Sequence, residues 1–423
     1  MKKVKYVIIG GGISGLYFAN LVKNDDYILF EKSDKIGGYC GTFKTSNFIW
    51  DYAGHFYHFK NEEIKKEFIN ALGEKNIITQ KKNTKVYYKG KYIDYPFQKN
   101  IHQLEKEEFI ECLYDLYTKN EKENYDNFLD MLYGKFGKSI VEKFLKPYNE
   151  KLYACPLEKL DKDAMGRFFP YANIDDIIRN MKENNDITYN DTFLYPKEGA
   201  QSFLDYLYNN LDKTKVLLKS KIIEINEKEN YVKIENGQSI YYDYLINTSP
   251  FNELIRLLDN KYIQISKKLS YNKVLVFNIG FEKDSKNKEH WIYFPDKNIN
   301  FYRIGLYNNI LGTNKMSIYV EIGFSKNEVI DIDKEFNETI KNLKKCNILS
   351  DENQILEYNS IIMDPAYIHI NTKELNIVNE IKDNLEANDI YTIGRYGNWT
   401  YCSMEDCMLQ AKKIYEKVKG RSI

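Results

Sequence analysis

The sequence predicts an α/β fold: a parallel sheet wound with helices, carrying a helical insertion and a separate mixed β-sheet. Three observations predict it. The chain starts on an apolar run, a glycine turn and a helical pattern. Its apolar spacing changes to 3 and 4 between residues 102 and 150. Strand-like apolar runs then dominate residues 274–324.

The first run, Val4 with Tyr6-Val7-Ile8-Ile9, enters the turn Gly10-Gly11-Gly12-Ile13-Ser14-Gly15. Leu16, Phe18, Ala19, Leu21 and Val22 continue as a helix, and Tyr27-Ile28-Leu29-Phe30 ends on Glu31. Gly10 allows the tight turn, Gly12 lets backbone approach a pyrophosphate, and Gly15 lets the helix sit close to the strand. The helix N-terminus faces the phosphates. Glu31 follows about twenty residues after the turn, where a carboxylate accepts from ribose hydroxyls. Strand, glycine turn, helix, strand and acid together predict a Rossmann-type dinucleotide site. A glycine-rich turn in an ordinary α/β protein would carry the glycines without that context.

Composition bounds the rest. The 423 residues suffice for two or three domains around one core. Acidic and basic residues balance at 61 each, so no net field attracts nucleic acid or an anionic membrane. No stretch approaches the roughly eighteen apolar residues of a spanning helix. The first strand begins at once, leaving no room for a signal peptide, and the expectation is a soluble, cytoplasmic protein. The six cysteines show no metal-ligand spacing and read as small buried hydrophobes. The five histidines form no H-x-x-x-H pair, so no metal site is expected.

Only six of the 61 basic residues are arginine: 167, 179, 256, 303, 395 and 421. Where lysine serves as the general cation, a retained arginine points to a planar fork for phosphate or carboxylate. Arg167, Arg303 and Arg395 each sit in a motif, whereas Arg179, Arg256 and Arg421 read as chance.

In chain order, residues 44–59 are too dense in aromatics for a solvent loop. Gly54-His55 brings backbone and imidazole to one point, either against a ligand or as a structural histidine. Residues 62–72 read as a helix, and 86–93 as a hairpin turning at Lys89-Gly90-Lys91. Tyr95-Pro96-Phe97-Gln98 offers aromatics to stack a base and an amide to pair with its edge. A proline-bounded strand end reads equally from those residues. Helices follow over 104–118, 125–136 and 139–148. Residues 171–187 read as a polar surface loop, and 202–210 as a helix. Strands are expected at 216–218, 221–225, 231–234 and 244–247, then at 274–281, 290–295, 301–307 and 316–324. Residues 325–345 read as a helix, Asp364-Pro365-Ala366-Tyr367 as a turn, and 403–418 as the last helix. The strand before it ends on Gly394, so both ends of the chain would build one cofactor site.

Several motifs together resemble the UDP-galactopyranose mutase family, within the amine oxidase and protoporphyrinogen oxidase group. Ile36-Gly37-Gly38 after Glu31-Lys32 resembles that group's FAD sites. Gly394-Arg395-Tyr396-Gly397-Asn398-Trp399 carries the resemblance most specifically. His290-Trp291-Ile292-Tyr293-Phe294-Pro295 with Phe301-Tyr302-Arg303, Tyr95-Pro96-Phe97-Gln98, Lys146-Pro147-Tyr148-Asn149 and Asn190-Asp191-Thr192-Phe193 also match.

The resemblance implies an FAD-dependent isomerase. It would interconvert pyranose and furanose forms of a UDP-galactose-like sugar nucleotide, through an adduct between reduced flavin N5 and the sugar. The product would feed cell-surface polysaccharide synthesis, and NAD(P)H or another reductant would supply electrons. An oxidase or desaturase of the amine oxidase or protoporphyrinogen oxidase type is the alternative, and the oligomeric state is left open. Cofactor residues implied are Gly10, Gly12, Ser14, Gly15, Glu31, Lys32, Gly38, Ile222, Gly394 and Arg395. Catalytic residues implied are Arg167, Arg303 and His55, the arginines gripping the diphosphate and the histidine beside the flavin. Tyr95, Phe97 and Gln98 would hold uracil. Asn149, Tyr153, Asn190, Tyr293, Tyr367 and Tyr401 would complete the substrate site. Three positions depart from the pattern: Ile310 stands for a tyrosine, with Tyr307 close by, Glu405 for an asparagine, and Tyr153 for the tryptophan before Ala-x-Pro. A carboxylate near a diphosphate must be paired or turned away. The division expected is FAD-binding segments 1–94, 191–250 and 386–423, a helical insertion 95–190 and a β-rich substrate domain 251–385.

Overall fold

The computed structural model describes residues 2–166, 169–170, 173–183, 191–258 and 262–421. Two seven-stranded sheets organise it. In the first, strand β1 (Lys2–Ile9) lies at the centre, parallel to β2 (Tyr27–Phe30) on one side and to Ser239–Asn247 on the other. Val216–Leu217 extends the β2 edge, and Ile390–Thr392 joins Ser239–Asn247 in parallel. An antiparallel meander, Ile222–Asn226 and Tyr231–Ile234, closes the far edge. Helix α1 (Ile13–Leu21), Gln201–Asn209 and Met404–Arg421 bury one face. Phe251–Leu257 and Thr372–Ala387 cover the other. β2 is buried along its whole length, as a strand covered on both faces must be.

The second sheet runs Ile355–Met363, Asn272–Phe281, Ser317–Ser325, Arg303–Leu306, Trp291–Tyr293, Thr84–Tyr88 and Lys91–Asp94. It is antiparallel except where Trp291–Tyr293 meets Thr84–Tyr88. Segment 1–94, expected to serve the cofactor sheet, thus also supplies the edge hairpin of this second sheet. One face packs on Ile332–Lys345 through buried Leu275, Phe277, Ile279, Ile318 and Val320. The other face meets the helical insertion through Val276, Tyr293, Phe144 and Leu152.

The insertion comprises Lys106–Tyr117, Phe128–Ile140, a π turn Val141–Leu145, and Lys146–Tyr153. The break expected between its second and third helices falls at Gly137, with φ +73°, where a Cβ would meet the Asp115 carbonyl oxygen at 2.4 Å. The expected surface loop 171–187 instead contains a helix, Ile174–Glu183. Asn173 and Asp176 cap each other's amides, and Asn180 donates to the Lys99 carbonyl and to Asn100 Oδ1. Ile177 is buried, with Ile174 and Met181 packed beside it. That spacing of 3 and 4 is helical, but it spans two turns and is set among Asn and Asp, so composition masks it. The helix Thr372–Ala387 is a second element beyond the sequence expectation, although Val378, Ile381 and Leu385 are spaced 3 and 4 and Asn371 caps it.

Among the described residues no helix is long and apolar enough to cross a membrane. No cluster of three or more His, Cys, Asp or Glu side chains converges as metal ligands among them.

Candidate functional site

A cavity of about 990 Å³ runs from the β1–α1 turn to the inner face of the second sheet. Its first half is made largely of backbone. Gly10 adopts φ +102°. A Cβ at Gly15 would lie 1.9 Å from the Gly10 carbonyl oxygen, whereas at Gly12 it would meet nothing within 4 Å. Gly15 is therefore where the helix touches the turn, and Gly12 is where a ligand has room. Helix α1 has no side-chain cap and no acidic residue in its first turn, so its free amides and dipole are left for an anion. Glu31 is held by two amides, Gly11 N–H to Oε2 at 2.7 Å and Ser33 N–H to Oε1 at 2.8 Å. That fixes the carboxylate at the cavity edge.

Gly12, Ser14, Glu31, Lys32, Gly38 and Ile222 all line this half. Gly394, with φ +83°, lies behind it, and a Cβ there would strike Ser14 Oγ at 2.3 Å. Arg395 lines the cavity, and its buried Nε has no hydrogen-bond partner. The cradle thus offers what a dinucleotide needs: bare amides for phosphate, a fixed carboxylate for ribose and an unsatisfied guanidinium donor. FAD fits it.

The far half is made of side chains. Strand register places Tyr293, Arg303 and Glu321 side by side across three antiparallel strands. Arg303 forks onto Glu321, Nε to Oε2 and Nη2 to Oε1, the latter at 2.8 Å. The Glu321 side chain is 3% exposed and that of Arg303 is 20% exposed, so the pair is fixed yet faces the cavity. Burial opposes the arginine's charge, but Glu321 and nearby tyrosines outweigh it and hold the guanidinium ionised.

Around it stand aromatic hydroxyls. Tyr95 and Tyr293 have ring centroids 4.9 Å apart, and Tyr367 stacks with Tyr401 at 5.9 Å. Arg395 lies over both rings of the second pair, at 5.0 and 4.5 Å. Tyr153 meets Tyr367 edge-on, and its hydroxyl, like that of Tyr302, is buried without a partner. Burial pushes Tyr401 up to about 12, and Tyr95, Tyr153 and Tyr302 well above their ordinary value. All four stay neutral hydrogen-bond donors at physiological pH. His55 lines the same wall. Burial first, then Arg395, lowers its pKa to about 4. Its Nδ1 lies 3.2 Å from the Ala53 carbonyl oxygen, which only accepts, so Nδ1 carries the proton and Nε2 is a bare acceptor.

Other expected residues lie deeper. Phe97 is buried and stacks on Phe144 at 5.0 Å. Gln98 donates to the Pro170 carbonyl, and Asn149 to the Leu145 carbonyl at 2.6 Å. Each of these amides keeps a buried, unpartnered oxygen. Arg167 and Asn190 lie outside the described residues. Of the three departures, Tyr153 packs edge-on against Tyr367, and the other two are accounted for. Glu405 is turned away, accepting the Lys60 and Asn61 amides at 2.8 and 2.7 Å. Ile310 is a core residue, and Tyr307 is tied to Ala53 and Asp51 backbone rather than free.

Glu321 is a site residue that the sequence reading misses. It is the only charged residue in Met316–Phe324, a signal that a buried partner exists. Lys82 is another. Its ammonium lies 5.1 Å from the Tyr95 ring centroid and 5.7 Å from that of Trp291, and burial lowers its pKa to about 8.

The fold and cavity define a flavoprotein of the dinucleotide-binding α/β class, with FAD as cofactor. The chain belongs to the flavin containing amine oxidoreductase family, whose model matches residues 13–317. Over 99% of this chain and 94% of that one, it is similar in fold to a structure of reduced UDP-galactopyranose mutase, with TM-score 0.93 and 24% identity. A protein from Exiguobacterium sp. 255-15 described as a protoporphyrinogen oxidase matches with TM-score 0.76 and 17% identity, over 99% of both chains. A putrescine oxidase bound to putrescine matches with TM-score 0.67 and 11% identity, again over 99% of both.

Proposed function

We propose that this chain is a flavin-dependent sugar-nucleotide mutase that interconverts pyranose and furanose forms of a UDP-galactose-like sugar. The flavin is active in its reduced form, and the product serves cell-surface polysaccharide synthesis. The observation that carries the reading is the Arg303–Glu321 pair opening into the cavity, with Tyr293 beside Arg303 on the neighbouring strand. A largely buried arginine held flat by a carboxylate suits a ligand with planar, doubly anionic acceptors. It stands outside every cofactor motif, so the cofactor does not explain it. The whole-length likeness to a mutase structure supports the same reading.

When bound, reduced flavin supplies the nucleophile for the sugar's anomeric carbon. The chain's own residues then have to stabilise a departing diphosphate and keep it close. Glu321 takes one edge of Arg303 and leaves the other for phosphate oxygens. Because the leaving group gains charge as the bond breaks, Arg303 acts more strongly on the transition state than on the substrate. The neutral hydroxyls of Tyr293 and Tyr401 add donors without a further charge, and the Tyr367 hydroxyl stands beside them. Arg395 over the Tyr367–Tyr401 stack polarises both hydroxyls and holds that wall in place. Neutral His55 offers an acceptor and no second cation. No side-chain nucleophile is required.

An oxidase or desaturase is the second reading, favoured by the family's own chemistry. The deciding experiment is a chromatographic assay with UDP-galactose or its furanose form, with and without dithionite. The expected result is isomerisation only when the flavin is reduced. UDP binding that is lost in Arg303→Ala, without isomerisation, would move the proposal to another sugar. No UDP binding at all would favour the oxidase.

A further inference from the structure

Two buried thiols have no part in that chemistry. Cys402 stands just before the C-terminal helix and Cys407 in its first turn, with their sulfurs 3.7 Å apart. Both line the cofactor cavity. Cys402 also lines a second pocket of about 500 Å³, formed with Thr400, Asp406, Gln410 and Lys413. Cys402 therefore stands in the wall between the flavin site and an outer pocket, with Cys407 beside it on the flavin side. They are 7% and 5% exposed, so neither is an ordinary surface thiol.

The two sulfurs are not equivalent. Hydrogen bonding from Cys402 lowers the Cys407 pKa against the effect of burial, with Ser14 and the Arg395 backbone adding to it. Cys407 also sits at a helix N-terminus, which favours a thiolate. Cys402 is pushed the other way, chiefly by its bond to Cys407 and then by burial. The position of Cys407 at the helix N-terminus favours the thiolate there, which leaves the proton of the pair to Cys402.

We propose that Cys402 and Cys407 form a redox-active dithiol that reduces the flavin and is itself recharged by an external dithiol through the outer pocket. The inference deepens the reading that reduced flavin is the active form, but it rests on the flavin and not on the sugar. As the Cys407 and Cys402 sulfurs bond to each other, the Cys402 S–H proton and one electron pair leave together. Oxidised flavin accepts both, a hydride equivalent, so charge and atoms balance. Recharging is thiol–disulfide exchange. An external thiolate attacks Cys402 from the outer pocket, and Cys407, the more acidic sulfur, leaves as thiolate. The second external thiol then closes the external disulfide and releases Cys402 as a thiol.

The test uses the FAD-loaded protein under anaerobic conditions with dithiothreitol as the external dithiol. The flavin's visible absorbance reports reduction. In Cys402→Ser and Cys407→Ser the rate is expected to fall about tenfold or more, because neither can complete the exchange. Reduction by dithionite needs no thiol and is the control. Differential alkylation with peptide mass mapping is the second readout. Mild oxidation of the wild-type protein, with or without FAD, is expected to join 402 to 407 with loss of two hydrogens. Equal dithiothreitol rates in wild type and variants would overturn the proposal. So would oxidised wild-type protein with both sulfurs still free to alkylate, which decides the matter even if the serine variants fail to fold. Neither readout involves a sugar, so failure of the mutase assay leaves this result standing, and the reverse holds too.

Discussion

The two halves of the cavity are built on opposite principles. The cofactor half is made of backbone: glycines that permit contact, free amides and a carboxylate fixed by two N–H groups. Its parts come from one short stretch of chain, completed by the Gly394 turn. The far half is made of side chains brought together from residues 55, 303, 321, 367, 395 and 401, with 95, 153 and 293 packed around them. A backbone site fails when something is added to it. A side-chain site fails when something is removed, because the buried partner left behind is uncompensated. The variants below test that difference, from the largest expected effect to the smallest.

Gly15→Ala is the severest addition. The new methyl would sit 1.9 Å from the Gly10 carbonyl oxygen, and backbone cannot give way as a flexible side chain can. Either α1 moves off the turn or the turn opens, and both spoil the phosphate cradle. The variant is expected to carry about a tenth or less of the wild-type flavin when purified. Gly12→Ala separates sterics from folding. Its methyl meets no protein atom, so the flavin-free variant should unfold at the Tm of flavin-free wild type and still lose flavin. Full flavin occupancy in both variants would break the account of the cradle.

Arg303→Ala is the severest removal. It leaves Glu321 buried and unpaired, a loss of about 3–5 kcal/mol for a fully buried pair, and less here because Arg303 is partly exposed. UDP affinity is expected to fall about a hundredfold, the loss of a charge-assisted fork. Adding Glu321→Gln removes the stranded carboxylate. Calorimetry should show stability partly restored in the double variant while UDP binding stays lost. If UDP binding returned with stability, Arg303 would be a structural ion pair and no phosphate grip.

The same division explains what could be read from the sequence. The cradle was legible because its chemistry depends on local order: Gly10, Gly12, Gly15 and Glu31 have fixed offsets from a strand. The second sheet's strands were legible from apolar runs. Arg303 stood out because arginine is scarce in this chain, but Glu321 did not, because pairing across strands depends on register and register is a tertiary property. Phe97, read as lying beside the uracil, is a buried ring stacked on Phe144, since an aromatic in a Tyr-Pro-Phe run does not declare which way it faces. The helix Ile174–Glu183 escaped because its apolar stripe is two turns long, and the Asn and Asp around it do local work: Asn173 caps it and Asn180 docks it.

Asp51 lies at the seam between the two halves and gives the third test. It is fully buried, accepting from the Thr42 hydroxyl and the Ala200 amide, with the Tyr195 hydroxyl also turned to it. Its own amide donates to Tyr307, and its carbonyl accepts from Asn278 of the second sheet. Burial, outweighing those donors, raises its pKa to about 7. The folded protein then holds this proton between about pH 4 and 7 where the unfolded chain has released it. Stability contributed by the protonated form is therefore present at the acid end and lost as pH rises towards 7. Asp51→Asn should remove that slope and exceed wild type at pH 8 by a few kcal/mol in denaturant titrations. A wild-type slope that survives in the variant would show that Asp51 does not titrate there.

Glu405 gives the smallest effect and the finest comparison. The resemblance to the mutases implies an asparagine at this position, yet the carboxylate here reaches away from the cavity to two amides at the start of helix Glu62–Leu72. Negative charge at a helix N-terminus is stabilising, so Glu405 belongs to the architecture and not to the substrate. Glu405→Gln keeps an acceptor oxygen at the same reach and should cost less than about 1 kcal/mol. Glu405→Asn is one methylene too short to span to both amides. It should cost about 1–2 kcal/mol, as a lost cap does, and lower Tm accordingly. In both variants flavin content and UDP affinity should be unchanged. A change in UDP affinity in the asparagine variant alone would mean that the side chain, once shortened, turns into the diphosphate site.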